Sequence, residues 1–244
     1  MSAVPRSIRV MNIILIPGFW LDASSWSEVS PVLEDAGHRV RALTLPGLES
    51  ADADRRGIRL RDHVDAVIAA VDEVDGPVVL VGHSGGGAIA HATADVRPDR
   101  IARVVYVDAG PLGDGQAIND ELPVVDGEIP LPDWSVFGEE DLRDLDDELR
   151  EAFRARAVSE PMGVACDRQV LTDARRYDVP ATIIACEFTS DQMRGWIARG
   201  DPHVAELAAM RDVEYIDLPT GHWPQFTKPV QLGQAILAAV DRLT

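Results

Sequence analysis

Lysine is almost missing from this chain: Lys228 stands alone in 244 residues, so the basic charge is carried by arginine. Acid outweighs it, and the formal net charge at pH 7 is −18. That balance argues against nucleic acid and anionic membrane surfaces as partners. Cysteine is nearly absent too. Cys166 and Cys186 make neither a disulfide framework nor a zinc ligand set, and no metal or other cofactor is called for. Cys186 follows an apolar run and reads as a small buried hydrophobe. No apolar run approaches a membrane span, and Met1–Arg9 lack the apolar stretch of a signal peptide. A cytoplasmic location is expected, with Met1–Val10 as an extension ahead of the first strand. Aromatic residues are scarce at 5%, so each tryptophan needs a place.

What is present suits one large α/β domain, or one domain with an insertion. Hydrophobic residues make up 46%, enough for a sizeable core. The most informative stretch is Val78–Val79–Leu80–Val81 followed by Gly82-His83-Ser84-Gly85-Gly86 and a helical pattern from Ala88. Four apolar residues read as a buried strand. Strand, Gly-x-Ser-x-Gly turn and helix together predict a nucleophile elbow, with Ser84 held in a strained conformation clear of the sheet. Gly82 and Gly86 let the helix cross close to the strand.

The remaining chain alternates in the same way. Strands are expected at Asn12–Ile16, His38–Leu43, Arg103–Val107, Ala181–Cys186 and Val213–Ile216. Helices are expected from Trp26 to Gly37, Ile58 to Val74, Gln192 to Arg199, Val204 to Met210 and Val230 to Leu243. This order predicts a mostly parallel, doubly wound sheet of about six strands with helices on both faces. The rhythm breaks at residues 112–178, which is too long for a loop. We expect a helical cap there, inserted into a core made of 1–111 and 179–244. Within it, helices are expected at Glu139–Val158 and Met162–Arg176.

Reactive groups of such sheets gather at the carboxyl ends of the strands. A serine hydroxyl needs a base, and histidine titrates in the right range. Of the six histidines, only His222 sits in a loop just past the last strand, in Gly221-His222-Trp223-Pro224. His38, His63 and His91 read as structural or solvated, His203 as exposed, and His83 as pointing away from Ser84. The backbone N–H groups of Gly85 and Phe19 are the expected oxyanion donors, Phe19 lying in the loop Pro17-Gly18-Phe19-Trp20 after the first strand. Trp20, Trp134 and Trp223 are expected to line a substrate pocket under the cap, with Met162 and Trp196 as further candidates. Trp26, at helical spacing from Val29 and Leu33, is assigned to the core.

These residues resemble the α/β-hydrolase superfamily, in the small esterase-type branch that includes plant methylesterases and hydroxynitrile lyases. The motifs that carry the likeness are Ile16-Pro17-Gly18-Phe19-Trp20, Trp26, Pro31-Val32-Leu33, Gly37-His38, Leu45-Pro46-Gly47, Gly82-His83-Ser84-Gly85-Gly86 and Gly221-His222. The resemblance implies a third triad member after the penultimate strand, but the usual acid position falls near Thr189, which cannot serve. Glu187 and Asp191 flank it. Some relatives place the acid after the strand beside the elbow strand, which here is Asp108. Asp108 is favoured, with Glu187 and Asp191 as alternatives. The implied activity is cofactor-free hydrolysis of a carboxylic ester or lactone, with Ser84, His222 and Asp108 as the triad and a small molecule as partner. A homodimer is left open. Other serine-triad chemistry (carbon–carbon bond hydrolysis, perhydrolysis) and a non-catalytic ligand-binding protein on the same scaffold are the alternatives. Hydroxynitrile lyase chemistry would need a lysine in the pocket, and Lys228 is at the start of the last helix.

Overall fold

A computed structural model describes residues 10–243. The expected extension Met1–Val10 lies outside the described residues except for Val10. In chain order the elements are β1 (Asn12–Ile16), α1 (Ser30–Asp35), β2 (Arg39–Ala42), α2 (Leu60–Asp72), β3 (Val78–His83), α3 (Gly85–Val96) and β4 (Ile101–Val107). Then come β5 (Glu128–Ile129), α4 (Asp147–Arg156), β6 (Glu160–Pro161), α5 (Met162–Cys166), β7 (Ala181–Ala185), α6 (Ser190–Ala198), α7 (Ala205–Ala209), β8 (Val213–Asp217), α8 (Pro224–Thr227) and α9 (Pro229–Asp241).

Six strands form one sheet in the order β2-β1-β3-β4-β7-β8, every pairing parallel. The apolar runs that made the strands legible hide a period of two. Ile14, Ile16, Val78, Leu80, Val104 and Tyr106 pack with α2 and α3 on one face. Ile13, Leu15, Val79, Val81, Val105 and Val107 pack with Leu33 of α1 and with Leu232, Ile236 and Val240 of α9 on the other. Burying both faces is what a parallel sheet with right-handed crossovers requires. Trp26, fully buried, belongs to the second layer. It ends a short 3-10 helix (Ala23–Trp26) rather than starting α1, because Asp22 caps that turn through the Ser24 N–H.

Between β4 and β7 the chain leaves the main sheet. β5 and β6 pair antiparallel with each other and join no other strand among the described residues. The helices here are shorter than their charge and spacing suggested. The expected helix Glu139–Val158 begins only at Asp147, where the Asp146 side chain accepts from the Leu149 N–H and caps it. Upstream, Asp144 adopts a left-handed φ of 62° that no α-helix continues through. The expected helix Met162–Arg176 stops at Cys166, because Asp167 and Gln169 are drawn out by hydrogen bonds to Arg59 and to the 112–116 strip. No helix among the described residues is long and apolar enough to cross a membrane.

Candidate active site

The register of the sheet decides where the site forms. His83 of β3 lies opposite Val107 of β4, so Ser84 and Asp108 leave adjacent strands at the same level. The Ser84 N–H donates to Val107 O (3.1 Å), and the Asp108 N–H donates to Ile184 O of β7 (2.8 Å). Ser84 turns at φ 51° into α3. The glycines make this turn geometrically possible. A Cβ on Gly82 would lie 2.4 Å from Gly86 O, and one on Gly86 would lie 2.5 Å from Pro17 O. Helix and elbow are thus in contact, and the β1 loop presses on both.

His222 reaches the same point from the loop after β8. Its N–H donates to Asp141 O (2.8 Å). Its own carbonyl accepts from His83 Nε2–H (2.7 Å). His83 Nε2 is thus engaged with the His222 backbone, and the ring anchors the loop that carries His222. Burial depresses the His83 pKa to about 3, so its ring is neutral. This anchoring was not foreseen, because only the tertiary path of the 218–222 loop brings the two histidines together.

The side chains then line up. His222 Nε2 is 2.8 Å from Ser84 Oγ, and His222 Nδ1 is 2.7 Å from Asp108 Oδ2. Asp108 is buried, and its other oxygen accepts from the Cys186 and Glu187 N–H groups (2.9 and 3.0 Å). The carboxylate thus faces Nδ1–H, which leaves Nε2 free to accept from the Ser84 hydroxyl. Glu187 Oε2 also approaches Nδ1, at 3.4 Å. Burial pulls the His222 pKa down, but the Asp108 and Glu187 carboxylates outweigh it and the net shift is upward. Asp141, against Glu187, is pushed up to about 6, first by burial and then by that neighbouring carboxylate. The acids Asp108 and Glu187, weighed as rivals, therefore both meet the imidazole, with Asp108 closer. Asp191 does not: it is exposed and pairs with Arg194 (3.3 Å). Thr189 caps α6.

The Phe19 loop lies against the elbow. A Cβ on Gly18 would be 2.7 Å from His83 Nδ1 and 3.0 Å from Ser84 Cβ, and one on Gly85 would be 2.8 Å from Phe19 Cε1. Beside Ser84 opens a cleft of ≈ 200 Å³, lined by Gly85, Ala88, Asp108, Ala109, Gly110, Leu112 and Ile118. The expected pocket tryptophans do not line it. Trp20, Trp134 and Trp223 instead form an aromatic cluster with Phe137 and Phe153, ring centroids 5.2–6.0 Å apart. Trp20 and Trp223 are buried there, Trp223 edge-on to His222 at 5.1 Å. Their apolar area is better hidden against one another than against a water-filled cleft. Met162 is exposed elsewhere, beside Arg55–Arg59, and Trp196 packs on Phe188. Asp108, Glu187 and His222 could hold a cation by ligand type and spacing. Asp108 and His222 are already hydrogen-bonded to each other in the arrangement just described.

Comparison with known proteins finds relatives of the chain. A carbendazim hydrolyzing esterase from Nocardioides sp. is 31% identical over 115 residues, 46% of this chain and 47% of that protein, so the chain matches about half of that relative's length. A pyrethroid hydrolase from Sphingobium wenxiniae is 26% identical over 254 residues, 96% of this chain and 89% of that protein. Among solved structures, an extracellular alpha/beta-hydrolase from a Paenibacillus species superposes with a TM-score of 0.75 at 22% identity, covering 94% of this chain and 98% of that one. The methylesterase MES16 from Arabidopsis does so at 0.73 and 18% identity, covering 95% and 99%. The description of the alpha/beta hydrolase family matches residues 13–235, and the chain belongs to that family.

Proposed function

We propose that the protein is a cofactor-free serine hydrolase that cleaves a small carboxylic ester or lactone through an acyl-enzyme. The observation that carries this reading is the continuous chain Ser84 Oγ–His222–Asp108, with hydrogen bonds of 2.8 and 2.7 Å. A ligand-binding scaffold has no need of that alignment. The esterase and methylesterase names among the relatives agree with it.

In this mechanism Ser84 Oγ attacks the ester carbonyl while His222 Nε2 takes its proton. Asp108 holds Nδ1–H and stabilises the imidazolium as it forms. The Gly85 and Phe19 N–H groups are the proposed donors to the oxyanion. The tetrahedral intermediate collapses, the alkoxide leaves with the proton from Nε2, and Ser84 keeps the acyl group. Water then attacks the acyl-enzyme with His222 again as base, releasing the acid and free Ser84. Ala88, Ala109, Leu112 and Ile118 offer an apolar cleft to a compact, uncharged group. We assign residues 112–178 the role of a cap over this cleft that supplies Leu112 and Ile118 to its wall.

The test is Ser84→Ala with a short p-nitrophenyl ester as substrate. Turnover should fall on the order of 10⁴-fold or more with the thermal unfolding profile retained. A fluorophosphonate probe should label Ser84 in the wild type and nothing in the variant. Turnover that survives the substitution would overturn the reading.

A further inference from the structure

Trp20 does not line the cleft, yet every polar group it owns is used. Its N–H donates to Glu160 Oε2 (3.3 Å), its carbonyl accepts from the Val158 N–H (3.0 Å), and its indole Nε1–H donates to Ile129 O (3.0 Å). All three partners lie in the 112–178 segment, and Ile129 and Glu160 are directly paired across β5 and β6. Trp20 also sits at φ 66°, a conformation a bulky residue adopts only when its surroundings force it. It directly follows Phe19, whose ring touches the elbow at Gly85.

Glu160 is the unusual member. It is a carboxylic acid with 1% of its surface exposed. Burial pushes its pKa up to about 8, against smaller opposing effects of the Trp20 N–H and Arg55. His63, fully buried, stands with Nδ1 3.9 Å from Glu160 Oε1, and burial lowers its pKa to about 4. His63 Nε2–H is committed to Pro46 O (2.8 Å). At neutral pH the proton therefore stays on Glu160, and the acid is neutral. One oxygen accepts from Trp20 while the protonated one faces His63. A leucine would fill this volume without the desolvation cost of a carboxyl group. What leucine cannot do is accept the Trp20 N–H.

We propose that Glu160 is a positioning residue for the oxyanion loop: by gripping the Trp20 N–H from the inserted segment, it holds the backbone that follows the Phe19 amide in the orientation needed to meet the oxyanion. The segment is then part of the catalytic frame as well as a wall of the cleft. This rests on the serine hydrolase reading.

Glu160→Gln and Glu160→Leu separate the roles. The glutamine oxygen can accept from Trp20 while its amide group faces His63, so kcat should stay within about threefold of wild type. Leucine should lower kcat about 10- to 100-fold at nearly unchanged KM, the scale of a misaligned oxyanion donor. Affinity for a trifluoromethyl ketone analogue should fall in parallel. Amide hydrogen exchange at residues 18–20 should speed up in the leucine variant and not in the glutamine one. Glu160→Met, which keeps the length of the side chain but has no carboxyl oxygen to accept the Trp20 N–H, should also lower kcat at constant KM, and it serves if the leucine variant does not fold. The proposal is overturned if glutamine costs as much as leucine, or if folded variants lose stability with kcat and loop exchange unchanged. A wild type with no ester turnover and no fluorophosphonate labelling would sink the hydrolase reading instead, while the exchange measurement would still judge the clamp.

Discussion

Asp108→Asn probes the site most sharply, because the substitution changes one atom and very little shape. Asp108 Oδ1 accepts two backbone N–H groups, from Cys186 and Glu187, so the asparagine oxygen will take that position. Its amide nitrogen then points at His222 Nδ1, 2.7 Å away in the native protein. Two donors cannot face each other, so Nδ1 gives up its proton and accepts. The proton moves to Nε2, where it confronts Ser84 and removes the base. Complete inversion of the tautomer costs about 10⁴-fold in kcat, or roughly 5.5 kcal/mol at 1.36 kcal/mol per decade. Glu187 opposes that inversion, because its carboxylate 3.4 Å from Nδ1 can still hold a proton there. We therefore expect Asp108→Asn to lose on the order of 10²- to 10⁴-fold, and the double variant with Glu187→Gln to reach the full value. Steady-state hydrolysis of a p-nitrophenyl ester across pH 5–10 measures both, with circular dichroism melting to establish that each variant folds. An Asp108→Asn enzyme with wild-type kcat, or one hurt less than Glu187→Gln alone, would refute the tautomer argument.

Further consequences can be measured directly. Glu187→Gln removes one of the two carboxylates that raise the His222 pKa, with Asp108, Asp141 and neutral His83 remaining around the ring. Since protonated His222 cannot act as base, the acidic limb of kcat/KM should move to lower pH, and an unmoved limb would show that Glu187 is electrostatically idle. Glu160 keeps its proton in the folded protein up to about pH 8, whereas unfolded it releases it near 4.5. Its contribution to stability is thus complete below about 4.5 and lost as pH rises to about 8, with a slope approaching 1.4 kcal/mol per pH unit. Differential scanning calorimetry should show wild type losing stability against Glu160→Gln across that window and not beyond it; parallel curves would mean the acid is ionised throughout. Gly82→Ala should destabilise by about 1–3 kcal/mol by pushing α3 off β3, since the new methyl would meet Gly86 O at 2.4 Å; an unchanged Tm would contradict that packing.

Much of this site was readable from local pattern. Four apolar residues before Gly82-His83-Ser84-Gly85-Gly86 specify strand, turn and helix within one window, and the loop after the last strand delivers His222 to the same edge. Asp108 came from the resemblance, in which some relatives place the acid after the strand beside the elbow strand, and β4 does lie beside β3. What stayed hidden depends on contacts between distant segments. The resemblance left Asp108, Glu187 and Asp191 as alternatives, because nothing local says that the loops after β4 and β7 converge on one imidazole. Glu160 in Ser159-Glu160-Pro161 reads as an ordinary polar loop residue, yet it is buried, with Trp20, His63 and Arg55 arriving beside it from distant segments. The tryptophans were misplaced for the same reason. Composition says that a tryptophan will be covered, but not which neighbours will cover it.

Among the described residues, the five non-glycine residues with left-handed backbones divide into two kinds: Trp20, Ser84 and Asp108 at the site, and Asp126 and Asp144 exposed on the inserted segment. Anyone improving this protein by heat challenge alone faces a trap in that division. Glycine is more at ease than serine at position 84, so a screen blind to turnover rewards Ser84→Gly and silences the enzyme while hardening it. Asp126 offers the same relief, on the order of 1 kcal/mol, where no candidate site residue is lost. Directed evolution of this scaffold should therefore look for such relief at Asp126 and hold the ends of β1, β3 and β4 fixed.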